Sequence, residues 1–229
     1  MLVMDRVSDS QVSPDGKWIL FTLRETDLAA NRGRTDLWLV GADGQGLRRL
    51  TNNPAADFNG RWSPCGQCVF FLSTRSGSSQ IWRIKVDGGE AQQVTRLPLD
   101  VSNLVMAPAG DLIAVTMDVF PGLGVDETAA KLAAIAESKA TGRVYDKLFV
   151  RHWDTWTDGR RSHLFVLPKK GGAAKDLMPA MDADTPHKPF GGGEEIAFTS
   201  DGKGLVFTAR DAGREEAWST NMDLYFVPA

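Results

Sequence analysis

Short apolar segments recur along the chain, each preceded by the same kind of polar turn. Residues 13–21 read Ser-Pro-Asp-Gly-Lys-Trp-Ile-Leu-Phe, and the pattern returns at residues 63–71, 107–115 and 199–207. In each copy a glycine stands where a tight hairpin needs a positive φ, and the run after it is rich in aromatic and β-branched residues. The pattern therefore predicts a repeated unit of strand, tight turn and strand.

A second apolar strand follows each of these runs, and a short closing strand completes the first three units. The second strands are predicted at residues 36–40, 80–84, 163–167 and 223–227. The closing strands, each after a glycine-bearing turn, are predicted at residues 47–51, 91–95 and 174–178. With the strand before each turn, a unit has four antiparallel strands in about 45 residues, which is typical of a β-propeller blade.

The predicted fold class is therefore all-β, with about four propeller blades of four antiparallel strands, the last blade incomplete. The expected blades cover residues 7–52, 57–96, 101–179 and 190–229. A β-sandwich is the alternative, but it would not repeat the same turn, aromatic pair and closing strand at a fixed period.

An insertion, expected at residues 118–147, interrupts the third unit. Residues 126–139 are predicted to form a helix because their Ala-rich sequence favours one, and Asp126 can cap its start. Leu132, Ile135 and Ala136 make a narrow apolar stripe at helical spacing. Long insertions in compact domains are often functional, so this segment is a candidate for ligand contacts.

Both ends of the chain fall inside predicted blades. The first strand starts almost at the N-terminus, and the fourth unit stops at residue 229 without a closing strand. We therefore expect the chain to be part of a longer propeller, and a closed ring of four blades is the alternative. Uncovered strand edges and blade faces predict that the chain alone self-associates.

Composition narrows the range of partners. Hydrophobic residues make up 42% and charged residues 24% of the chain, with a formal net charge of -3, as in an ordinary globular protein. We expect no nucleic-acid partner because no basic block stands out. We expect no membrane span because no apolar run approaches the roughly 18 residues needed. Residues 1–6 lack the basic-then-apolar pattern of a signal peptide.

The chain has two cysteines, Cys65 and Cys68, separated by two residues. Such a pair can be a redox couple or half of a metal site. The alternative is that both belong to the repeated hairpin, where Cys65 replaces an aspartate and Cys68 opens a strand. No second Cys or His pair offers zinc spacing, so we expect no metal and no cofactor.

Two longer stretches carry a family resemblance: residues 144–164, from Val-Tyr-Asp-Lys to Ser-His-Leu, and residues 181–225, which include Gly-Gly-Gly-Glu-Glu and Glu-Ala-Trp-Ser-Thr-Asn-Met-Asp-Leu-Tyr. With the blade turns, they resemble bacterial dipeptidyl and acylaminoacyl peptidases of the prolyl oligopeptidase family, over the whole chain. The resemblance implies an N-terminal propeller that restricts access to a C-terminal α/β-hydrolase domain, so that short peptides enter and folded proteins do not.

The catalytic machinery that the resemblance implies is absent from this sequence. The chain has no Gly-x-Ser-x-Gly elbow, and its three histidines all fall in the predicted propeller region. We therefore expect no catalytic residue in this chain. Its expected partners are the α/β-hydrolase domain of the same parent protein and short peptides.

The insertion and the segment after it contain the candidate substrate-binding residues, which are Tyr145, Asp146, Arg151, His152 and Trp153. In the dipeptidyl branch of the family an insertion carries an acidic pair that binds the free amine of the substrate, and Asp146 stands in a loosely similar motif with one acid only. A carboxylate there would select an ammonium group through a charge-assisted bond. The alternative for Asp146 is a surface pair with Arg143 or Lys147.

Residues 151–156 form the densest polar and aromatic cluster of the chain. They are interpreted either as a wall of the substrate chamber, with Arg151 available to a carbonyl or carboxylate, or as a blade strand whose tryptophans pack and whose charges pair. Glu194 and Glu195 are another candidate for the acidic pair. The alternative is that both are solvated residues at the start of the strand that follows.

The predicted function is that of a non-catalytic gating propeller of a serine exopeptidase that removes dipeptides or acyl-amino acids from short peptides. A stand-alone scaffold for protein–protein interaction, like Tol-B or WD-repeat propellers, is the alternative. An enzyme with a site on the propeller axis is a third possibility, but it needs a repeated set of metal-binding side chains near the axis, which the sequence does not show.

Overall fold

The computed structural model describes residues 3–229; Met1 and Leu2, part of the N-terminal segment considered above, lie outside the described residues. The described chain contains seventeen β-strands and one α-helix, α1 (Val125–Glu137), with two short 3-10 helices at Gly193–Glu195 and Gly213–Ala217. Within residues 3–229 no helix is long and apolar enough to cross a membrane.

The strands are, in chain order, β1 (Arg6–Val12), β2 (Trp18–Asp27), β3 (Arg32–Gly41), β4 (Arg48–Arg49), β5 (Asp57–Trp62), β6 (Cys68–Ser73), β7 (Gln80–Lys85), β8 (Gly88–Gln93), β9 (Ser102–Met106), β10 (Leu112–Val119), β11 (Arg151–His152), β12 (Thr155–Trp156), β13 (Arg161–Pro168), β14 (Lys175–Asp176), β15 (Ile196–Phe198), β16 (Gly204–Ala209) and β17 (Asp223–Pro228).

Four antiparallel sheets form the blades. Their strand orders are β1-β2-β3-β4, β5-β6-β7-β8, β9-β10-β13-β14 and β15-β16-β17, and we number them blades 1 to 4. The first strands lie on the inner side of the arc, where β5 contacts β1 and β9, and β9 contacts β15. The predicted fold class, all-β propeller blades with one helical insertion and a shorter fourth blade, is confirmed.

The turn between the first two strands of each blade has the predicted conformation. The repeated glycine adopts a positive φ in all four copies, at Gly16 (72°), Gly66 (70°), Gly110 (68°) and Gly202 (71°). A side chain at Gly110 would also place its Cβ 2.8 Å from Pro64 of the neighbouring turn. Glycine is therefore needed here both for the turn and for the close approach of blades 2 and 3.

Each pair of neighbouring blades encloses its own apolar core. Leu20, Leu39, Val69 and Phe71 lie between blades 1 and 2. A second core, which includes Phe70, Leu104, Ile113 and Phe165, lies between blades 2 and 3, and a third, with Leu164, Leu205 and Phe207, lies between blades 3 and 4. Stability therefore depends on the contacts between neighbouring blades.

The outer faces of the first and last blades expose apolar side chains. In β17, Leu224 and Phe226 are 75% and 64% exposed, while Tyr225 and Val227, on the opposite face of the strand, pack into the core between blades 3 and 4. On blade 1, Val7 is exposed. Among the core clusters of residues 3–229, none joins blade 4 to blade 1.

The inner strands of blades 1 to 3 share an irregularity that the sequence analysis missed. Asp9, Asn59 and Asn103 each adopt a positive φ, between 50° and 53°, at points where the strand pairing shifts register. Asp and Asn are the non-glycine residues that tolerate this conformation best. Their side chains also link blades, since Arg61 donates to both oxygens of Asp9 at 2.8 Å.

Candidate functional site: the insertion and the cavity beneath it

The insertion leaves blade 3 at one end of its sheet. Residues 120–160 connect the end of β10 to the start of β13, and the start of β9 lies at the same end because neighbouring strands run antiparallel. We call this the insertion end of the blade. The loop that leads into blade 4 contributes to the same region through Pro186–Gly191.

Helix α1 packs on the core between blades 2 and 3 through Val125, Ala129 and Leu132, which are spaced along one helical face. Of the apolar stripe noted in the sequence, Leu132 packs on this core, whereas Ile135 and Ala136 are exposed. The prediction that Asp126 caps the helix is wrong: Gly124 is the cap residue, and Asp126 lies in the first turn. There its charge suits the positive end of the helix.

A small hairpin follows the helix. β11 pairs with β12, with Arg151 opposite Trp156 and His152 opposite Thr155. The hairpin is a separate two-stranded sheet and not a strand of blade 3, and both of its tryptophans are exposed. Trp153 at its tip has a φ of 46°, a conformation that is rare for a bulky residue.

Four of the five predicted substrate-binding residues fall into two groups, and the fifth, Asp146, belongs to neither. Tyr145 and Arg151 both contact Trp156, at 5.9 Å between ring centroids and 5.3 Å from guanidinium carbon to ring centroid. His152 stacks on Trp153, with ring centroids 4.8 Å apart. Successive side chains of a strand point to opposite faces, so Arg151 and His152 lie on opposite sides of the hairpin.

Asp146 is exposed, and within the described chain no basic side chain lies within 4.0 Å of its carboxylate. Both pairings considered from the sequence, with Arg143 and with Lys147, are therefore wrong. The Lys147 ammonium instead forms an ion pair with the Asp182 carboxylate at 2.5 Å, in the loop between blades 3 and 4.

Phe190 completes the second group, and the sequence analysis did not identify it. Its ring centroid lies 6.1 Å from that of His152 and 6.4 Å from that of Trp153, in edge-on geometries. Phe190 comes from the loop before blade 4, so only the folded chain brings it to the hairpin. Its side chain is 76% exposed, and that of Trp153 is 77% exposed.

A cavity of about 590 Å³ lies at the insertion end beside this cluster. Its size is within the range of sites for small ligands. Apolar walls come from Leu99, Met117 and Leu132, and polar groups from the starts of β9 and β13 and from the loop before blade 4. The charged residues of its lining are Asp100, Asp118, Arg160 and Lys188.

Most charges at the cavity are paired. The Lys188 ammonium lies 3.3 Å from Asp118 and 3.0 Å from Asp184. Burial opposes the charge of Lys188, but these two carboxylates outweigh it and raise the pKa of the lysine. Arg160 pairs with Asp158 at 2.7 Å, and the Asp100 carboxylate accepts a hydrogen bond from the Ser79 amide at 2.7 Å.

Behind the cavity, Arg161 at the start of β13 joins blade 3 to the loop before blade 4 and to the 3-10 helix of blade 4. It binds Glu216 through two hydrogen bonds, of 3.0 and 2.6 Å, and donates to Asp182 and Asp184 at 2.8 and 2.9 Å. Burial disfavours its charge, but the carboxylates outweigh burial and raise the pKa of Arg161. Since Asp182 also holds Lys147, this cluster ties the insertion to blades 3 and 4.

Glu195 has a structural role. Its carboxylate accepts hydrogen bonds from the Thr208 hydroxyl and from the His187 amide, the latter at 3.1 Å, and is only 15% exposed. The expectation of a solvated strand entry is therefore wrong for Glu195, although Glu194 is exposed. Glu195 fixes the loop that carries Phe190.

The histidines have different environments. In His163, Nδ1 lies 2.9 Å from Asp176 and Nε2 lies 3.0 Å from the Met181 carbonyl, so neither nitrogen is free to act on a substrate. His187 contacts Glu195 at 2.7 Å. His152 is the exposed one and belongs to the ring cluster.

Cys65 and Cys68 are free thiols of the blade 2 hairpin. The Cys65 thiol lies 3.3 Å from the Ser63 hydroxyl. At the equivalent position of blade 1, Asp15 accepts a hydrogen bond from the Ser13 hydroxyl at 2.7 Å. Both cysteines therefore belong to the repeated hairpin, which is the alternative considered from the sequence. Within residues 3–229 no group of three or more His, Cys, Asp or Glu side chains is placed to hold a metal ion.

Comparison with known sequences identifies the family of this propeller. Residues 6–124, just over half of the chain, match the TolB beta propeller domain. The chain belongs to this family. The match covers blades 1 and 2 and runs to the end of β10 and the start of the insertion.

Curated relatives of this TolB-family propeller include peptidases. Dipeptidyl-peptidase 5 of Porphyromonas endodontalis is 30% identical over 99% of this chain, which is 32% of that protein. Dipeptidyl-peptidase 5 of Porphyromonas gingivalis is 28% identical over 98% of this chain and again 32% of the relative. The chain thus spans about a third of the length of the curated relatives it matches.

Solved structures show the same architecture. The acylaminoacyl peptidase of Pyrococcus horikoshii matches with a TM-score of 0.64 over 98% of this chain and 31% of that one, at 12% sequence identity. At this identity the likeness shows the fold alone. Together the comparisons confirm the resemblance to the propeller portion of dipeptidyl and acylaminoacyl peptidases.

Proposed function

We propose that this chain is the non-catalytic propeller of a serine exopeptidase, which admits short peptides to a catalytic α/β-hydrolase domain and excludes folded proteins. The parent enzyme would release dipeptides or acyl-amino acids. The observation that carries the proposal is the cavity at the insertion end of blades 3 and 4, to which the insertion contributes Leu132 and Arg160. The curated relatives, which are dipeptidyl peptidases, support it.

The histidines of this propeller are not placed to activate a serine nucleophile. Both nitrogens of His163 are engaged, and His187 lies against Glu195. Within the described residues no serine hydroxyl lies within hydrogen-bond distance of a histidine nitrogen, as a nucleophile and its base would require. Catalysis therefore belongs, in this proposal, to the hydrolase domain.

In this proposal the candidate residues contact the peptide as it enters. Asp146 offers an exposed carboxylate to the free amine, and Arg151 offers its guanidinium to a carbonyl or carboxylate group. Tyr145 supports Arg151 through Trp156, while His152 and Trp153 present rings on the other face of the hairpin.

The proposal that the hydrolase domain, and not this chain, is catalytic can be tested with a fluorophosphonate probe for reactive serines and a chromogenic dipeptide reporter. The chain alone should neither react with the probe nor hydrolyse the reporter, whereas the parent protein should do both. Labelling of the chain alone at any serine, together with turnover, would contradict the proposal. A parent protein that is inert to both reagents would favour the scaffold alternative.

The role of Asp146 is tested in the parent protein by Asp146→Asn. The variant should raise KM for a dipeptide reporter with a free amine and leave KM unchanged for the same reporter with a blocked amine. Asp154→Asn, which removes another exposed carboxylate of the same segment, is the matched control. Unchanged kinetics in Asp146→Asn would show that Asp146 does not bind the amine.

A further inference from the structure

Three rings converge where the tip of the hairpin reaches the loop before blade 4. His152, Trp153 and Phe190 have ring centroids 4.8 to 6.4 Å apart, and we call them the aromatic platform. His152 stacks on Trp153, and Phe190 meets both rings edge-on. Trp153 and Phe190 are 77% and 76% exposed, so most of both rings is open to a ligand.

The backbone at Trp153 does not favour a tryptophan. Its φ of 46° lies in the left-handed region, where glycine or asparagine is usual and a bulky residue is strained. Strain of this kind persists mainly where a side chain has a function, which here is to hold an indole ring outward.

The platform adjoins the cavity at the insertion end. Phe190 lies between Pro189 and Gly191, which both line the cavity. The charged lining consists of Asp100 and Asp118 with Arg160 and Lys188, two acids and two bases. A balanced set of charges and hydrogen-bonding groups suits the dipoles of peptide bonds better than it suits a simple anion or cation.

We propose that the aromatic platform binds a large apolar side chain of a short peptide whose backbone lies in the adjacent cavity. This inference rests on the proposed function and adds a preference among peptides to it. Aromatic side chains stack on or pack edge-on against exposed rings, and such a contact removes apolar surface of both partners from water.

The test measures peptide affinity with the full chain by calorimetry. The probes are tetra-alanine and three tetrapeptides in which phenylalanine replaces one of the first three alanines. At least one phenylalanine peptide should bind about three- to tenfold more tightly than tetra-alanine, as expected for one aromatic contact. Trp153→Gly should abolish this preference without weakening tetra-alanine binding.

Trp153→Gly separates binding from folding, because glycine suits the φ of 46° and should leave thermal stability unchanged or raised. Phe190→Ala is the second variant and should reduce the preference as well. Trp218→Ala is the matched control, since Trp218 is also exposed but lies outside the platform. It should leave the preference intact.

Two outcomes overturn the inference in different ways. If the wild-type chain binds all four peptides equally, or keeps its preference in both Trp153→Gly and Phe190→Ala, the platform inference fails and the proposed function stands. If the wild-type chain binds none of the four peptides, peptide binding by this propeller fails, and the platform inference fails with it.

Discussion

The side chain of Asn59, in the inner strand of blade 2, accepts a hydrogen bond from the backbone amide of Leu104, in the inner strand of blade 3, at 2.7 Å. Leu104 is fully buried, so its amide depends on this acceptor. Asn59 also adopts a φ of 53°. One residue thus supplies both a left-handed backbone and a link between two blades.

We predict that Asn59→Ala destabilises the chain by about 2–4 kcal/mol, because it leaves a buried amide without a partner and places a Cβ in a left-handed conformation. Asn59→Gly loses only the hydrogen bond and should cost less, about 1–3 kcal/mol. Urea unfolding followed by circular dichroism gives both values. Equal losses in the two variants would show that the backbone at this position is not strained.

Cys65→Asp should stabilise the chain by about 0.5–1.5 kcal/mol. The new carboxylate would accept the Ser63 hydroxyl, as Asp15 accepts that of Ser13 and Asp201 that of Thr199, at 2.7 and 2.6 Å. Thermal unfolding under reducing conditions measures the difference. Cys65→Ala is the control and should not stabilise, and an equal gain in both variants would mean that loss of the thiol, not the new hydrogen bond, is responsible.

The stability of the chain should decrease at acid pH in part because of Glu195. Burial opposes its ionisation, but hydrogen bonds from Thr208 and His187 outweigh burial and hold its pKa below the ordinary 4.5. A carboxyl group with a lowered pKa stabilises the fold fully above its unfolded pKa, and this contribution is lost as the pH falls through the folded pKa. Glu195→Gln should therefore lower the melting temperature at neutral pH, by an amount that shrinks below about pH 4.5.

The control for this effect is Glu194→Gln, because Glu194 is exposed and adjacent. Its melting temperature should follow that of the wild type over the whole pH range. If Glu195→Gln lowers the melting temperature equally at every pH, the ionised carboxylate does not contribute in the way described.

The chain alone should self-associate through the exposed face of blade 4. Leu224 and Phe226 are 75% and 64% exposed on this face, and apolar side chains grouped on a sheet favour association. Sedimentation velocity over a concentration series should show a growing fraction of larger species for the wild type, and less of it for the double variant Leu224→Glu and Phe226→Glu. Leu47→Glu, at another exposed apolar residue, is the control, and a wild-type monomer at every concentration would refute the prediction.

The repeated elements of the fold could be predicted from sequence because local chemistry determines them. The glycine of each turn needs a positive φ, and Gly16, Gly66, Gly110 and Gly202 all have one. The left-handed positions at Asp9, Asn59 and Asn103 had a usable signal too, since each lies four residues before the repeated turn and is Asp or Asn. That signal was missed because strand patterns emphasise apolar positions.

The candidate site was less predictable because its contacts join distant parts of the chain. The sequence places Arg151, His152 and Trp153 in a dense local cluster, but the hairpin register that separates Arg151 from His152 depends on the turn at Trp153. Nothing near Phe190 in the sequence indicates that its ring meets His152. In the same way, the four hydrogen bonds of Arg161 reach residues 21 to 55 positions away.

In the proposed function, this propeller limits the parent enzyme to short peptides. The most direct measurement is kcat/KM of the parent protein for a series of peptides of increasing length with the same N-terminal residues, alongside a folded protein with that N-terminus. We predict efficient cleavage of the short peptides, a steep fall with length and no cleavage of the folded protein. Replacing residues 126–139 of the insertion with a short Gly-Ser linker should make the decrease of kcat/KM with peptide length smaller. Equal cleavage of short peptides and of the folded protein would contradict the claim.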